Sequence, residues 1–206
     1  MLRYYQSLVF LFAPRLVLGS VPGTRAVAAP AGPFGLYAYG GGIGGAQVFY
    51  SNDVAFIGDQ TQMNDDEAAL VLFTTGPNNA LVGNPDTKSS RGVPTWSNRA
   101  FFVPKATSSS RRVGFTTPDA DPEADTSGFV FYGATALHED ADHALHGLWS
   151  AVPMPAAAAV EEAEEGKEEG KKFWALLWNV TDTDSGSAHV AVTLRSTPPA
   201  TPFESG

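Results

Sequence analysis

From Pro33 onward the apolar positions fall in short runs between turn residues, not at helical spacing. Leu36, Tyr37, Ala38 and Tyr39 form the first run, closed by five glycines in the six positions 40–45. Runs at 47–50 and 54–57 follow, separated by Ser51, Asn52 and Asp53, and that spacing predicts a hairpin. Further strands are expected at 68–75, 100–103, 113–116, 128–132, 134–138, 145–152, 173–180 and 189–195. Two of these runs are apolar on both faces. In 173–180, Phe173, Ala175 and Leu177 alternate with Trp174, Leu176 and Trp178, which predicts a strand covered on both sides. The run 68–75 reads the same way around Leu70, Val71, Leu72 and Phe73.

About ten or eleven short strands at such spacing predict an all-β domain. A strand with two apolar faces needs a second layer, so the expected architecture is a β-sandwich, jelly-roll-like, over residues 32–198. The segment 153–172 breaks the pattern. Its last twelve residues carry six Glu and three Lys with no large apolar side chain, so it reads as a solvated acidic insert between two strands. Residues 199–206 read as a flexible tail.

The first 31 residues are set apart by charge. Positions 1–52 contain no Asp, Glu or Lys, only Arg3, Arg15 and Arg25. Three readings compete for this leader: a secretory signal with its apolar stretch at 4–13, a mitochondrial presequence, and a disordered extension. Secretion is slightly favoured over an intracellular location. No apolar run approaches the ~20 residues of a membrane-spanning helix.

The net charge of −9 and the lack of a basic stripe argue against nucleic acid as a partner. The chain has no cysteine, which removes disulfides, thiolate nucleophiles and cysteine metal sites together. Gly40, Gly42 and Gly45 formally match a dinucleotide-binding glycine pattern, but strand and turn residues follow instead of the helix that must meet a pyrophosphate. These glycines read as a loop or bulge where backbones pass closely, and no cofactor is expected.

Two polar clusters could hold a metal ion. Asp119, Asp121, Glu123 and Asp125 alternate in a proline-containing loop, and such carboxylates can converge on Ca²⁺. His138 and His143 flank four residues, so a hairpin turn there would let them face each other across the strands. The i, i+4 spacing of a helical zinc site is absent. Trp96 sits in the polar run Pro94, Thr95, Trp96, Ser97, Asn98 and is the candidate exposed platform for a sugar ring. Trp174 and Trp178 share one face of an apolar strand and are expected in the core. No nucleophile elbow is present, and the acids at 119–125 and 139–142 are the only loops that suggest hydrolytic chemistry.

The segments GLYAYGGGIGGAQVFYSNDVAFIGD, PTWSN, VGFTT, SGFVFYG and LLWNVT…VAVTLRS, in this order between about Pro33 and Pro198, resemble a family of uncharacterised proteins from filamentous ascomycete fungi. The resemblance implies a compact β-rich domain and carries no activity or site residues. The leader and the acidic insert lie outside its pattern. Together these readings favour a non-enzymatic binding or surface domain, with a glycan as one candidate partner. A protein-interaction or structural module and a hydrolase with a site in the acidic loops are the alternatives.

Overall fold

The structure, a computed structural model, describes residues 29–117, 120–154, 173–181 and 188–200. The expected leader (apart from its last three residues), most of the acidic insert and most of the tail lie outside these. The hairpin expected at 47–57 is formed by β2 (Ile43–Ser51) and β3 (Val54–Gly58), with Ser51 opposite Val54. Its two loop residues, Asn52 and Asp53, both take positive φ (49° and 61°). Such φ values match the twist of the flanking strands, and Asn and Asp tolerate them better than most side chains.

Fourteen strands are found among the described residues. The barrel is built by β1 (Tyr37–Gly40), β2, β3, β4 (Ala69–Thr75), β5 (Leu81–Pro85), β6 (Arg99–Pro104), β7 (Gly114–Thr116), β12 (Trp149–Pro153), β13 (Phe173–Trp178) and β14 (Val190–Arg195). Their order is β1-β2-β4-β5-β6-β7-β3-β13-β12-β14, and β14 pairs back onto β1 with Tyr37 opposite Arg195. The result is a closed 10-strand antiparallel β-barrel, not the expected sandwich. An extra pairing between β2 and β3 crosses the ring. Four short strands lie off it. These are β8 (Ala124–Asp125), which pairs with β6, the hairpin β9 (Phe129–Tyr132) and β10 (Thr135–Glu139), and β11 (Leu145–His146), which pairs with β10.

The correction has a physical cause. The two apolar faces of β13 are both buried, as the pattern predicts, but among the described residues no second sheet covers the outer one. Trp174, Leu176 and Trp178 join the main core with Val48, Phe73, Phe101 and Trp149, while Phe173 and Ala175 join Phe49 and Phe56 in a second cluster. That cluster is closed by the half-buried side chains of Val54, Met63, Leu70 and Met154. A loop and an adjacent strand therefore do what a second layer was expected to do. In β4 only one face is fully buried, through Ala69, Val71 and Phe73, and Leu70 and Leu72 are half-buried.

Closure depends on the glycine cluster. β2 pairs on one edge with β1 through its first half and with β4 through Phe49 and Tyr50. The β1–β2 register shifts between Ala38 and Tyr39, opposite Gly45, which takes φ 94°. A bulge of this kind bends a strand and raises its twist, as closing a barrel requires. The core itself is aromatic. Phe73, Phe101 and Phe115 meet with ring centres 5.3–6.2 Å apart, and Trp149 packs edge-on to Trp178 at 4.6 Å.

Candidate functional site

Strand alternation decides what faces outward on β1 and β2. Leu36, Ala38, Ala46 and Val48 point into the core, so Tyr37 and its register partner Gln47 point out, and Leu70 lies opposite Phe49 on the same outer face. Beyond β3 the chain turns at Gly58 (φ 115°, a value strained for any side chain) into the short 3₁₀ turn Gln60–Gln62. Asp59 caps that turn, its Oδ1 accepting from the Thr61 backbone N–H at 2.9 Å. The cap holds Gln60 inward, and Gln60 is 7% exposed.

These groups enclose an outer pocket of about 440 Å³, within the range of small-molecule sites. Tyr37, Gln47, Asp59, Gln60 and Thr61 supply its polar lining, and Leu70, Pro198 and Pro199 its apolar wall. The prolines are carried there by the chain leaving β14. Tyr39 Oη donates to the Thr197 carbonyl at 3.0 Å, and Pro199 packs so closely on Gly45 that a Cβ there would come within 2.8 Å. Gly35 is equally constrained, since a Cβ would meet Gln47 Nε2 at 2.8 Å and Tyr37 Oη at 2.9 Å. Burial, followed by the neighbouring Tyr39 and Asp86, raises the Tyr37 hydroxyl above its usual range, so it is a neutral donor and acceptor at physiological pH.

Gln60 Nε2 donates to the Ser89 carbonyl at 2.6 Å. Asp86 holds that carbonyl in place by accepting from the Lys88 N–H and the Ser89 hydroxyl in the turn after β5. The other end of the amide, Oε1, is buried and accepts no hydrogen bond from the protein. Leaving an amide oxygen unpaired in a buried position costs about 1–3 kcal/mol.

A second cleft, of about 390 Å³, lies where β8, β10 and β11 meet the end of β13. It brings together two residues expected at separate metal sites, Asp125 and His138. His138 is 6% exposed and wedged edge-on between Phe129 and Trp178. Its Nε2 lies 3.4 Å from Asp125 Oδ2, an ion-pair distance without hydrogen-bond geometry. The His138 ring, followed by the Ser127 N–H and hydroxyl on Oδ1, holds the Asp125 carboxyl below its usual range, against the opposing effect of partial burial. Asp140 repeats the arrangement at the mouth of the cleft. Its Oδ2 meets His146 Nε2 at 2.7 Å, its Oδ1 accepts from the Asp142 and Ala144 N–H groups, and its carboxyl is likewise lowered, chiefly by His146.

The remaining sequence candidates sit elsewhere. His143 does not face His138, whose register partner is His146. The Asp140 carboxylate gathers residues 140–144 into a wider turn than expected, and His143 is exposed within it at φ 62°, paired with Glu139. Asp121 is exposed, caps its own turn through the Glu123 N–H, and lines a different recess beside Arg112. Asp119 lies outside the described residues. Among the described residues no three His, Asp or Glu side chains stand close enough to hold a metal ion. Trp96 is not an exposed platform. It is 6% exposed, stacks on Tyr50 at 4.3 Å and donates its Nε1–H to the Glu67 carbonyl at 2.9 Å. The same Glu67 accepts from the Thr95 N–H and hydroxyl, so the polar residues around Trp96 serve to pin it inward. Trp174 and Trp178 are buried, as expected.

Among the described residues no helix is long and apolar enough to cross a membrane. Comparison of the chain with protein-family models, with curated proteins and with solved structures finds no match.

Proposed function

We propose that this protein is a binding domain for a small, polar molecule held in the outer pocket beside Gln60. The carrying observation is a pocket of small-molecule size whose lining sets the polar residues Tyr37, Gln47, Asp59, Gln60, Thr61 and Ser89 beside the apolar Leu70, Pro198 and Pro199. None of the described lining residues is basic, so none of them offers a counter-charge to a phosphate or carboxylate ligand. The reading keeps the binding-domain expectation and moves its site from Trp96 to the outer face of β1 and β2.

The test is a thermal-shift screen of the purified full chain against neutral, cationic and anionic small molecules. A ligand at 100 times its Kd adds about 2.7 kcal/mol to the native state, enough for a clear rise in Tm. A shift that is abolished in Gln47→Leu, whose outward side chain lines the pocket, supports the proposal. A flat screen overturns it.

A further inference from the structure

β13 ends at Trp178, which is buried against Trp149 and His138. The next residue, Asn179, turns the chain outward. Its φ is 51°, a left-handed value that asparagine tolerates better than most residues. Its backbone N–H donates to the Leu148 carbonyl at 2.9 Å, which fixes the bend beside the start of β12. Asn179 is exposed, and so is Thr181. Asn179, Val180 and Thr181 spell Asn-X-Thr, the acceptor pattern for N-linked glycosylation. Of the seven asparagines in the chain, Asn179 is the only one with Ser or Thr two positions on. The pattern is short and arises by chance, but a glycan can be carried only where the amide lies at the surface, and this one does.

The surroundings supply a second observation. Leu148 is one of four large apolar side chains left exposed among the described residues, at 43%. It lines the second cleft together with Asn179, His138 and His146. A glycan is bulky and solubilising, and on Asn179 it would stand next to this apolar side chain.

We infer that Asn179 carries an N-linked glycan, which covers Leu148 beside the second cleft. In the transfer, Asn179 Nδ2 forms a bond to C1 of the first sugar of a lipid-linked oligosaccharide diphosphate. The bond from C1 to the diphosphate oxygen breaks, the lipid diphosphate leaves with that electron pair, and the amide gives up one proton. Nothing is oxidised or reduced. A chain meets this donor in the secretory pathway, so the leader, with its apolar stretch at 4–13, acts as a secretory signal.

The experiment is expression of the full chain, with its own leader, in a eukaryotic cell line, with both medium and cells collected. The secreted chain should lose mass on treatment with an amidase that releases N-linked glycans, and the peptide containing position 179 should then read as Asp by mass spectrometry. Asn179→Asp, which keeps a residue suited to positive φ, and Thr181→Val should each abolish the mass loss, while Thr181→Ser keeps it. The cell-associated chain is read as well, so a variant that folds poorly still reports. Binding of a hydrophobic dye to the native protein should rise once the glycan is released. A secreted chain without a glycan, a glycan that survives Thr181→Val, or a chain held unmodified in the cytosol overturns the inference. A glycan whose release leaves dye binding unchanged overturns its covering role.

Discussion

The outer pocket and the His138 cleft each contain one deeply buried polar atom without a hydrogen-bond partner, Gln60 Oε1 in the first and His138 Nε2 in the second. The resemblance ends at the neighbours. His138 has the Asp125 carboxylate 3.4 Å away, so the protein itself supplies a charge that answers an imidazole. Gln60 is an amide that cannot change charge, and its other end is already committed to Ser89. Compensation of the first atom is internal and electrostatic. The second atom has no such group beside it among the described residues. Neither atom can be reached from its pocket, so the outer pocket is marked by its mixed polar and apolar lining and not by Gln60 Oε1.

That contrast can be broken, and the largest effect is expected from the shared core. Trp178→Ala removes a ring that packs on both Trp149 and His138. It should cost about 3–5 kcal/mol, read from urea denaturation, and free the His138 ring. Ligand binding in the outer pocket, which Trp178 does not line, should survive wherever the variant is folded.

Gly45→Ala comes next. It places a side chain at φ 94° against Pro199 and should lower stability by about 1–3 kcal/mol in thermal melts. Because Pro199 walls the pocket, this variant should also weaken ligand affinity, whereas Trp178→Ala should not. Equal affinity losses in the two would show that the regions are coupled.

The pH response should separate the regions as well. The folded-state pKa of Asp125 is depressed, so its contribution is fully present above the unfolded value of about 3.9 and is lost as pH falls through the folded value. Asp125→Asn should therefore lower Tm at pH 7, and the gap to wild type should close below about pH 4. A gap that persists in acid would mean that Asp125 acts by packing. In the outer pocket the Tyr37 hydroxyl is raised above its usual range and stays neutral, so Tyr37 should add no change in ligand affinity between pH 5 and 8.

Gln60→Leu should have the smallest effect on stability, within about 1 kcal/mol, because it removes an unpaired oxygen together with one hydrogen bond to a carbonyl at the surface. Gln47→Leu, on the outward face that lines the pocket, should weaken binding more. A large loss of stability in Gln60→Leu would instead show Gln60 Oε1 to be satisfied within the fold.

Little of either site was legible along the chain. Tyr37 and Gln47 fall within runs read correctly as strands, but nothing in those runs marks their outward face as functional. Gln60 lies in a connector of ordinary polar composition. Its one local signal is Asp59 followed by Thr61, a cap pattern that predicts a turn and is silent on burial. For Asp125 and His138 the residue types were informative and the grouping was not. They stand 13 positions apart and meet only because β8 pairs with β6 while β10 pairs with β9, β11 and β14. Trp96 misled because its polar neighbours, read as signs of exposure, are the groups that tie it inward through Glu67.

What the amino-acid order determined by itself was local. Period-two alternation, β-branched and aromatic runs and Asn-Asp or Gly turns dictate strands, and these need only neighbouring residues to act. The outward apolar face of β13 was legible too, including the fact that something must cover it. Only the tertiary structure decided what does the covering and which strands are partners. Sandwich and barrel bury the same alternating pattern, and they differ in hydrogen bonds between backbones, which carry no side-chain signature. Here the choice falls to one pairing between the first strand and the last, Tyr37 against Arg195, made possible where glycines let β2 bend.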